Sequence, residues 1–282
     1  MKIPVLLSYY VLRKSEKVLD RINLYSDSFR IIIDSGAYSA LTLGKVISIE
    51  EYCDWLKSFD PKVQYDGAFQ LDKIYDQEQT SKNFKIHERL GSNVIPIFTY
   101  AEYSDQINLL NSLVKHHEYV GCGGVRKKKQ YVRWLLESCI DTSKIHLFAY
   151  SDVNLLWYYK PRSCDNSTWL NGTKYGELRR KDYNYHNEAK IGFSSVKKFG
   201  FQEKDYDKLN DPEWRHTKGK YLGISVPFAT TCAAFLYQVQ KLEEQGVQMY
   251  LVVSSAEHID VLYACYQYFI KGKSIDLFKK EG

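Results

Sequence analysis

Several short stretches of this sequence place acidic, hydroxyl or glycine residues directly after a run of apolar ones. They are Asp34-Ser35-Gly36-Ala37-Tyr38, Leu71-Asp72, Phe98-Thr99-Tyr100, Gly121-Cys122-Gly123-Gly124 and Cys164-Asp165-Asn166-Ser167-Thr168-Trp169. An aspartate that follows Ile31-Ile32-Ile33 must either meet solvent or find partners, because burying a carboxylate unpaired is costly. Paired carboxylates suit glycosidic-bond chemistry, whose transition state is oxocarbenium-like. One carboxylate attacks or stabilises the anomeric carbon while the other handles the proton on the leaving group, a contribution of roughly 10²–10⁴-fold. Glycines at a strand end let backbone amides approach a flat heterocycle where a Cβ would collide. A plainer reading stays open for Asp34 and Asp165: each caps the following helix or bonds turn amides, as aspartate commonly does.

Convergence of these residues requires the elements before them to be strands that end on one side. Strand-like runs fall at 4–8, 30–34, 64–72, 94–98, 119–123, 144–149, 162–165 and 248–253. Helix-like stretches fall at 49–59, 77–90, 102–116, 127–139 and 229–245, the first with Ser48 as N-cap and Glu51 completing a capping box. Strand–helix alternation on this scale predicts parallel strands joined by crossover helices. Eight strands within 282 residues fit one (β/α)8 TIM-type barrel domain over 1–282, in which C-terminal strand ends share the active-site face. An open doubly wound sheet would give much the same string, so closure is not readable here.

The stretch 166–220 breaks the rhythm. It is polar, basic and tyrosine-rich, contains Arg179-Arg180-Lys181, and reads as an insertion between the seventh and eighth strands. A second basic run, Arg126-Lys127-Lys128-Lys129, follows the glycine pair. Both runs could grip phosphates, with Trp169 and the tyrosines stacking on unstacked bases; a solvated basic helix face is the alternative. The net charge of +5 is too mild to decide. The six cysteines lack the paired spacing of a structural zinc site and are expected to be reduced and mostly buried. Apolar runs are strand-sized and the N-terminus has no signal-peptide core, so a cytoplasmic protein without a membrane partner is expected. His146, in the sixth strand, either orients a carboxylate or is a satisfied core residue.

Ile33-Asp34-Ser35-Gly36-Ala37-Tyr38-Ser39 resembles the Asp-Ser-Gly motif of tRNA-guanine transglycosylases, and Leu71-Asp72, Val120-Gly121-Cys122-Gly123-Gly124 and Ser163-Cys164-Asp165 follow in that family's order. The wording of the motifs, with Asp165-Asn166-Ser167-Thr168-Trp169-Leu170, is similar to the DpdA-like branch of DNA-guanine transglycosylases found in phages. The resemblance implies a (β/α)8 barrel that exchanges guanine in a polynucleotide for a 7-deazaguanine base such as 7-cyano-7-deazaguanine, without a cofactor. It implies Asp165 as the nucleophile and Asp34 as the general acid/base. Asp72 would read the base edge, Gly123-Gly124 would bond its carbonyl, Ser35 and Gly36 would line the pocket, and Tyr38 would stack or pack in the core.

The zinc-binding cysteines and histidine, the Gln-Gly-Gly run and the Pro-Thr-Arg run of the tRNA enzymes are absent, which favours DNA over tRNA. For a phage-encoded chain the compartment would be the host cytoplasm. Three alternatives stay in view: a tRNA-guanine transglycosylase, a hydrolytic base-removing glycosidase, and a non-catalytic nucleic-acid-binding barrel.

Overall fold

A computed structural model describes residues 1–14, 16–99, 106–124, 129–170, 220–221 and 224–272. The apolar runs become strands β1 (Ile3–Ser8), β2 (Phe29–Asp34), β3 (Gln64–Ala68), β4 (Ile97–Thr99), β5 (Val120–Gly123), β6 (Ile145–Leu147), β7 (Ser163–Asn166) and β8 (Gln248–Val253). Together they form one eight-stranded, all-parallel sheet in the order β3-β2-β1-β8-β7-β6-β5-β4. That order is the order of the chain around a ring cut between β3 and β4. The curled sheet is compatible with a TIM-like barrel.

Its two edges are bridged. Ile95 donates its N–H to Ala68 O at 2.7 Å and accepts from Gln70 N at 3.0 Å, a parallel bridge between Phe69 and Ile95. Beyond that bridge β3 has ended, and buried N–H groups on β4 need other acceptors. Glutamine side chains supply them: Gln70 Oε1 accepts from Ile97 N at 2.9 Å, and Gln77 Oε1 accepts from Thr99 N at 2.7 Å. The run expected as one strand over 64–72 is therefore shorter as a ladder, and its second half serves as a seam.

Between the strands lie α1 (Tyr9–Leu12), α2 (Lys17–Leu24), α3 (Ala37–Thr42), α4 (Ile49–Ser58), α5 (Gln77–Arg89), α6 (Ile107–His116), α7 (Lys129–Ser138) and α8 (Val153–Tyr159). The short α1, α3 and α8 and the amphipathic α2 were not anticipated. Ser48 caps α4 by accepting from Glu51 N at 3.2 Å, which is one half of the expected capping box; the reciprocal bond from Ser48 N to the Glu51 carboxylate does not occur among the described residues, and the Ser48 hydroxyl donates to Glu50. In β1 and β2 adjacent residues are all buried or nearly so, as parallel strands covered on both faces require.

Packing divides the chain into two compact units, Met1–Asn166 with Leu242–Ala256, and Ser167–Lys241 with Glu257–Gly282. The first holds the whole sheet. The described part of the second includes α9 (Val226–Glu243) up to Lys241, most of α10 (Ala256–Cys265) and a two-stranded antiparallel pair, Lys220–Tyr221 with Ile224–Ser225. The expected insertion over 166–220 lies mainly outside the described residues. All six cysteines are free, and all but Cys139 are buried. Among the described residues no helix is long and apolar enough to cross a membrane.

Two glycines of β5 differ in what a side chain would meet. A Cβ on Gly121 would lie 2.7 Å from Phe148 and 3.1 Å from Phe69, whereas one on Gly123 would meet Thr99 Oγ1 at an ordinary 3.7 Å. Gly121→Ala should cost about 1–3 kcal/mol through overpacking, and Gly123→Ala less than about 0.5 kcal/mol. Urea denaturation of the two variants measures the difference.

Candidate active site

Side chains alternate between the faces of a strand, so Arg30, Ile32 and Asp34 share one face of β2. Ile32 belongs to an interior cluster with Leu6, Phe69, Ile97, Tyr119 and Tyr250. Asp34 therefore stands on the interior face at the strand's C-terminal end, level with Ser8 of β1. Asp165 of β7 is in register with Tyr250 of β8, a member of the same cluster, and shares that face. Asp72 follows the seam after β3. The structure thus brings the three aspartates singled out in the sequence to one rim of the sheet.

Their environments differ. One oxygen of Asp165, Oδ1, accepts from the Ala149 N–H at 2.8 Å and contacts His146 Nε2 at 3.3 Å. Ala149 holds φ at +52°, a left-handed conformation costing a non-glycine residue about 1–3 kcal/mol. That conformation aims its N–H at the carboxylate. Asp165 is 6% exposed and caps no described helix; of the plainer reading only the bond to a turn amide, that of Ala149, describes it. For Asp34 the alternative holds in part: Oδ2 accepts from Gly36 N at 2.9 Å. Burial, then the negative charges of Asp72 and Asp165, raise the Asp34 pKa to about 7 against the pull of its turn amides. Burial raises Asp72 to about 6, while its own amide and the Ser35 hydroxyl pull it down.

Gly36 has φ +81°, and a Cβ there would lie 2.3 Å from Ser8 Oγ and 2.5 Å from Tyr10 Cβ. Packing alone thus requires glycine, whatever it contacts in a ligand. Ser35 is buried and accepts from Ala37 N at 3.2 Å. Tyr38 is 45% exposed on α3, so it is not a core residue. At the same rim Ser8 Oγ and Thr99 Oγ1 are buried without a hydrogen-bond partner among the described residues. A cavity of about 340 Å³ opens beside Asp72, walled by Ala37, Ala40, Leu41, Ile47 and Leu71 but by neither Asp34 nor Asp165.

The backbone of Asp72 is held by α5. His87 Nε2 accepts from Leu71 N at 3.0 Å, Asn83 Nδ2 donates to Leu71 O at 2.9 Å, and Thr80 Oγ1 accepts from Lys73 N at 2.9 Å. Burial lowers His87 to about 4, which keeps it neutral and able to accept. Sequence reasoning missed this set. Its signal was a polar stripe, Gln77, Thr80, Asn83 and His87, at the three- and four-residue spacing that usually marks an apolar helix face.

Of the expected nucleic-acid contacts, Arg126, Lys127, Lys128, Arg179, Arg180 and Lys181 lie outside the described residues. Lys129 is paired with Asp152 at 2.6 Å. Trp169 is fully buried with its ring 5.5 Å from that of His258, so it corrects the expectation of a side chain available to stack on a base. Gly123 is buried at the end of β5, and Gly124 follows it with φ +77°. Among the described residues no group of histidine, cysteine and acidic side chains could hold a metal ion. No protein-family model and no curated protein matches the chain.

The raised Asp34 pKa has a consequence for stability. Above pH 7 the folded chain holds an ionised Asp34 that burial and two like charges disfavour, whereas the unfolded chain ionises it from about pH 3.8. The resulting penalty is full above pH 7, shrinks as pH falls through 7, and is gone near pH 4. Asp34→Asn keeps an acceptor for Gly36 and should stabilise the fold by about 1–3 kcal/mol at pH 8. Denaturation at pH 8 and pH 4 checks both the sign and its disappearance.

Proposed function

We propose that the chain is a guanine transglycosylase built on a (β/α)8 barrel, exchanging guanine in a polynucleotide, DNA in preference to tRNA, for a 7-deazaguanine base. The observation that carries this reading is the convergence of Asp34, Asp72 and Asp165 on one rim, in three different environments. The resemblance of their motifs to the family supports it. Asp165 has one oxygen pinned by its neighbours, while no hydrogen bond to its other oxygen occurs among the described residues, an arrangement suited to a nucleophile. A pKa near neutrality suits Asp34 for giving and then taking a proton.

In the first step the free oxygen of Asp165 attacks C1′ of the target nucleotide. The C1′–N9 bond breaks as the C1′–O bond forms, and protonated Asp34 gives its proton to the departing guanine. In the second step Asp34, now a carboxylate, removes the corresponding proton from the incoming 7-deazaguanine. That base attacks C1′, the ester bond breaks, and Asp165 is regenerated. Asp72 accepts from the N–H groups of the base edge, and the backbone at Gly123-Gly124 bonds the base carbonyl. Ser8 and Thr99 offer further polar atoms at the rim. The basic runs 126–129 and 179–181 hold phosphates. A guanine in duplex DNA must leave the stack first, at a cost of a few kcal/mol.

Nucleoside mass spectrometry and labelled-guanine exchange, on DNA and on tRNA with a panel of 7-deazaguanines, test the reading. Asp165→Ala should abolish exchange and any trapped enzyme–polynucleotide adduct. Asp34→Asn should slow exchange by roughly 10²–10⁴-fold and remove a pH inflection near 7. Full exchange by Asp165→Ala would end the proposed mechanism. Abasic sites in place of an incorporated base would make the chain a hydrolytic glycosidase.

A further inference from the structure

Behind Asp165 lies a file of polar side chains whose partners are other side chains of the interior. His146 is completely buried, with Phe69 and Phe148 at ring-centroid distances of 4.7 and 4.6 Å and Tyr250 at 6.1 Å. Its Nε2 faces Asp165 Oδ1 at 3.3 Å, and its Nδ1 lies 2.6 Å from Ser163 Oγ. Ser163 Oγ is in turn hydrogen-bonded to the Tyr119 hydroxyl. Burial raises the Tyr119 pKa, so its hydroxyl keeps its proton, and the Arg162 guanidinium lies 4.3 Å from its ring. Ser163 and Asp165 are two residues apart on β7, while His146 is the neighbour of Ser163 in the β6–β7 register.

With Asp165 ionised and the imidazole neutral, the hydrogen bonds of this file have one consistent direction. A carboxylate accepts and cannot donate, so His146 must present N–H from Nε2. In the neutral ring Nδ1 is then an acceptor, which Ser163 satisfies by donating. The Ser163 oxygen is thereby left to accept from Tyr119. The reverse direction would put the proton on Nδ1 and aim the Nε2 lone pair at the carboxylate, where the two would repel.

We propose that His146, held as its Nε2–H tautomer by Ser163 and Tyr119, is the positioning residue for Asp165: with the Ala149 N–H it fixes Oδ1 and leaves the second oxygen to react. The catalytic part of this assignment rests on the transglycosylase reading, but the tautomer and its effect on the carboxylate do not. The neighbouring Phe69 and Phe148 rings exclude water, so no solvent donor replaces the imidazole when it is removed. Two buried donors hold one oxygen of the carboxylate. The same pinning limits its rotation, so attack on a sugar carbon finds the oxygen already oriented.

Two sets of measurements on the full chain test the assignment and keep it separable from the reaction. In long-range ¹H–¹⁵N spectra of histidine-labelled protein, the resonance lost in His146→Gln identifies His146. It should carry its proton on Nε2 and none on Nδ1, and Ser163→Ala should disturb that tautomer. In the exchange assay His146→Gln, which still offers an N–H, should keep more activity than His146→Leu. A proton on Nδ1 in the wild type overturns the proposal. If His146→Leu does not fold, the wild-type tautomer and Ser163→Ala decide it. In the exchange assay His146→Leu should lower kcat at least about tenfold with KM little changed, as expected for an effect on the reacting group rather than on binding. Undiminished kcat counts against the positioning role. Failure of the wild type to exchange any base removes the transglycosylase reading alone, and the spectra still decide the tautomer.

Discussion

The geometry of the rim depends on how the sheet disposes of its edges. Eight parallel strands laid flat would leave two rows of unpaired backbone groups, and would set Asp72, next to the β3 edge, far from Asp165. Here Ile95 bonds to both Ala68 and Gln70, and the buried Gln70 side chain carries the bonding on to Ile97 N and to Thr80 O. The seam is thus made as much by glutamine amides as by a ladder. The same glutamines tie β3 and β4 to α5, the helix whose His87, Asn83 and Thr80 hold the backbone on either side of Asp72. Closing the edges and positioning an aspartate are one set of hydrogen bonds.

The interior is layered by polarity along the strands. At the N-terminal end of β2, Arg30 makes a bidentate pair with Asp66 at 2.7 Å, and the Tyr250 hydroxyl donates to the same carboxylate at 2.9 Å. Above it come the apolar side chains of Leu6, Ile32, Phe69 and Ile97. At the C-terminal end stand Asp34, Asp72 and Asp165, where like charges face one another without a described cation paired to them. A buried polar group is tolerated only when satisfied, and the lower layer is satisfied internally. The upper layer is not: Ser8 Oγ and Thr99 Oγ1 lack partners among the described residues, and Asp34 is raised to about 7. That asymmetry supports the proposal that the rim is the end that meets a ligand.

Much of this was legible in the sequence for simple reasons. Short apolar runs alternating with amphipathic stretches gave parallel strands, and β8 ran over the expected 248–253. An aspartate after three isoleucines had to stand where a strand leaves the core. Boundaries were less legible where side chains replaced backbone pairing, as over 64–72. Trp169 was misjudged because position in the chain says nothing of burial. His146 could be weighed as core residue or carboxylate partner, and it is both, since the ring that packs among Phe69 and Phe148 also reaches Asp165.

By itself, then, the sequence determined where along the chain the strands fall and that aspartates stand at or just beyond their ends, because those depend on local periodicity and on the cost of burying charge. Only the tertiary structure decided that Asp34, Asp72 and Asp165 share one rim, that Ala149 turns its N–H toward Asp165, and that glutamines close the seam. Each of these joins residues far apart in the chain or sets a backbone angle against its local preference, and no neighbouring pattern encodes such a relation.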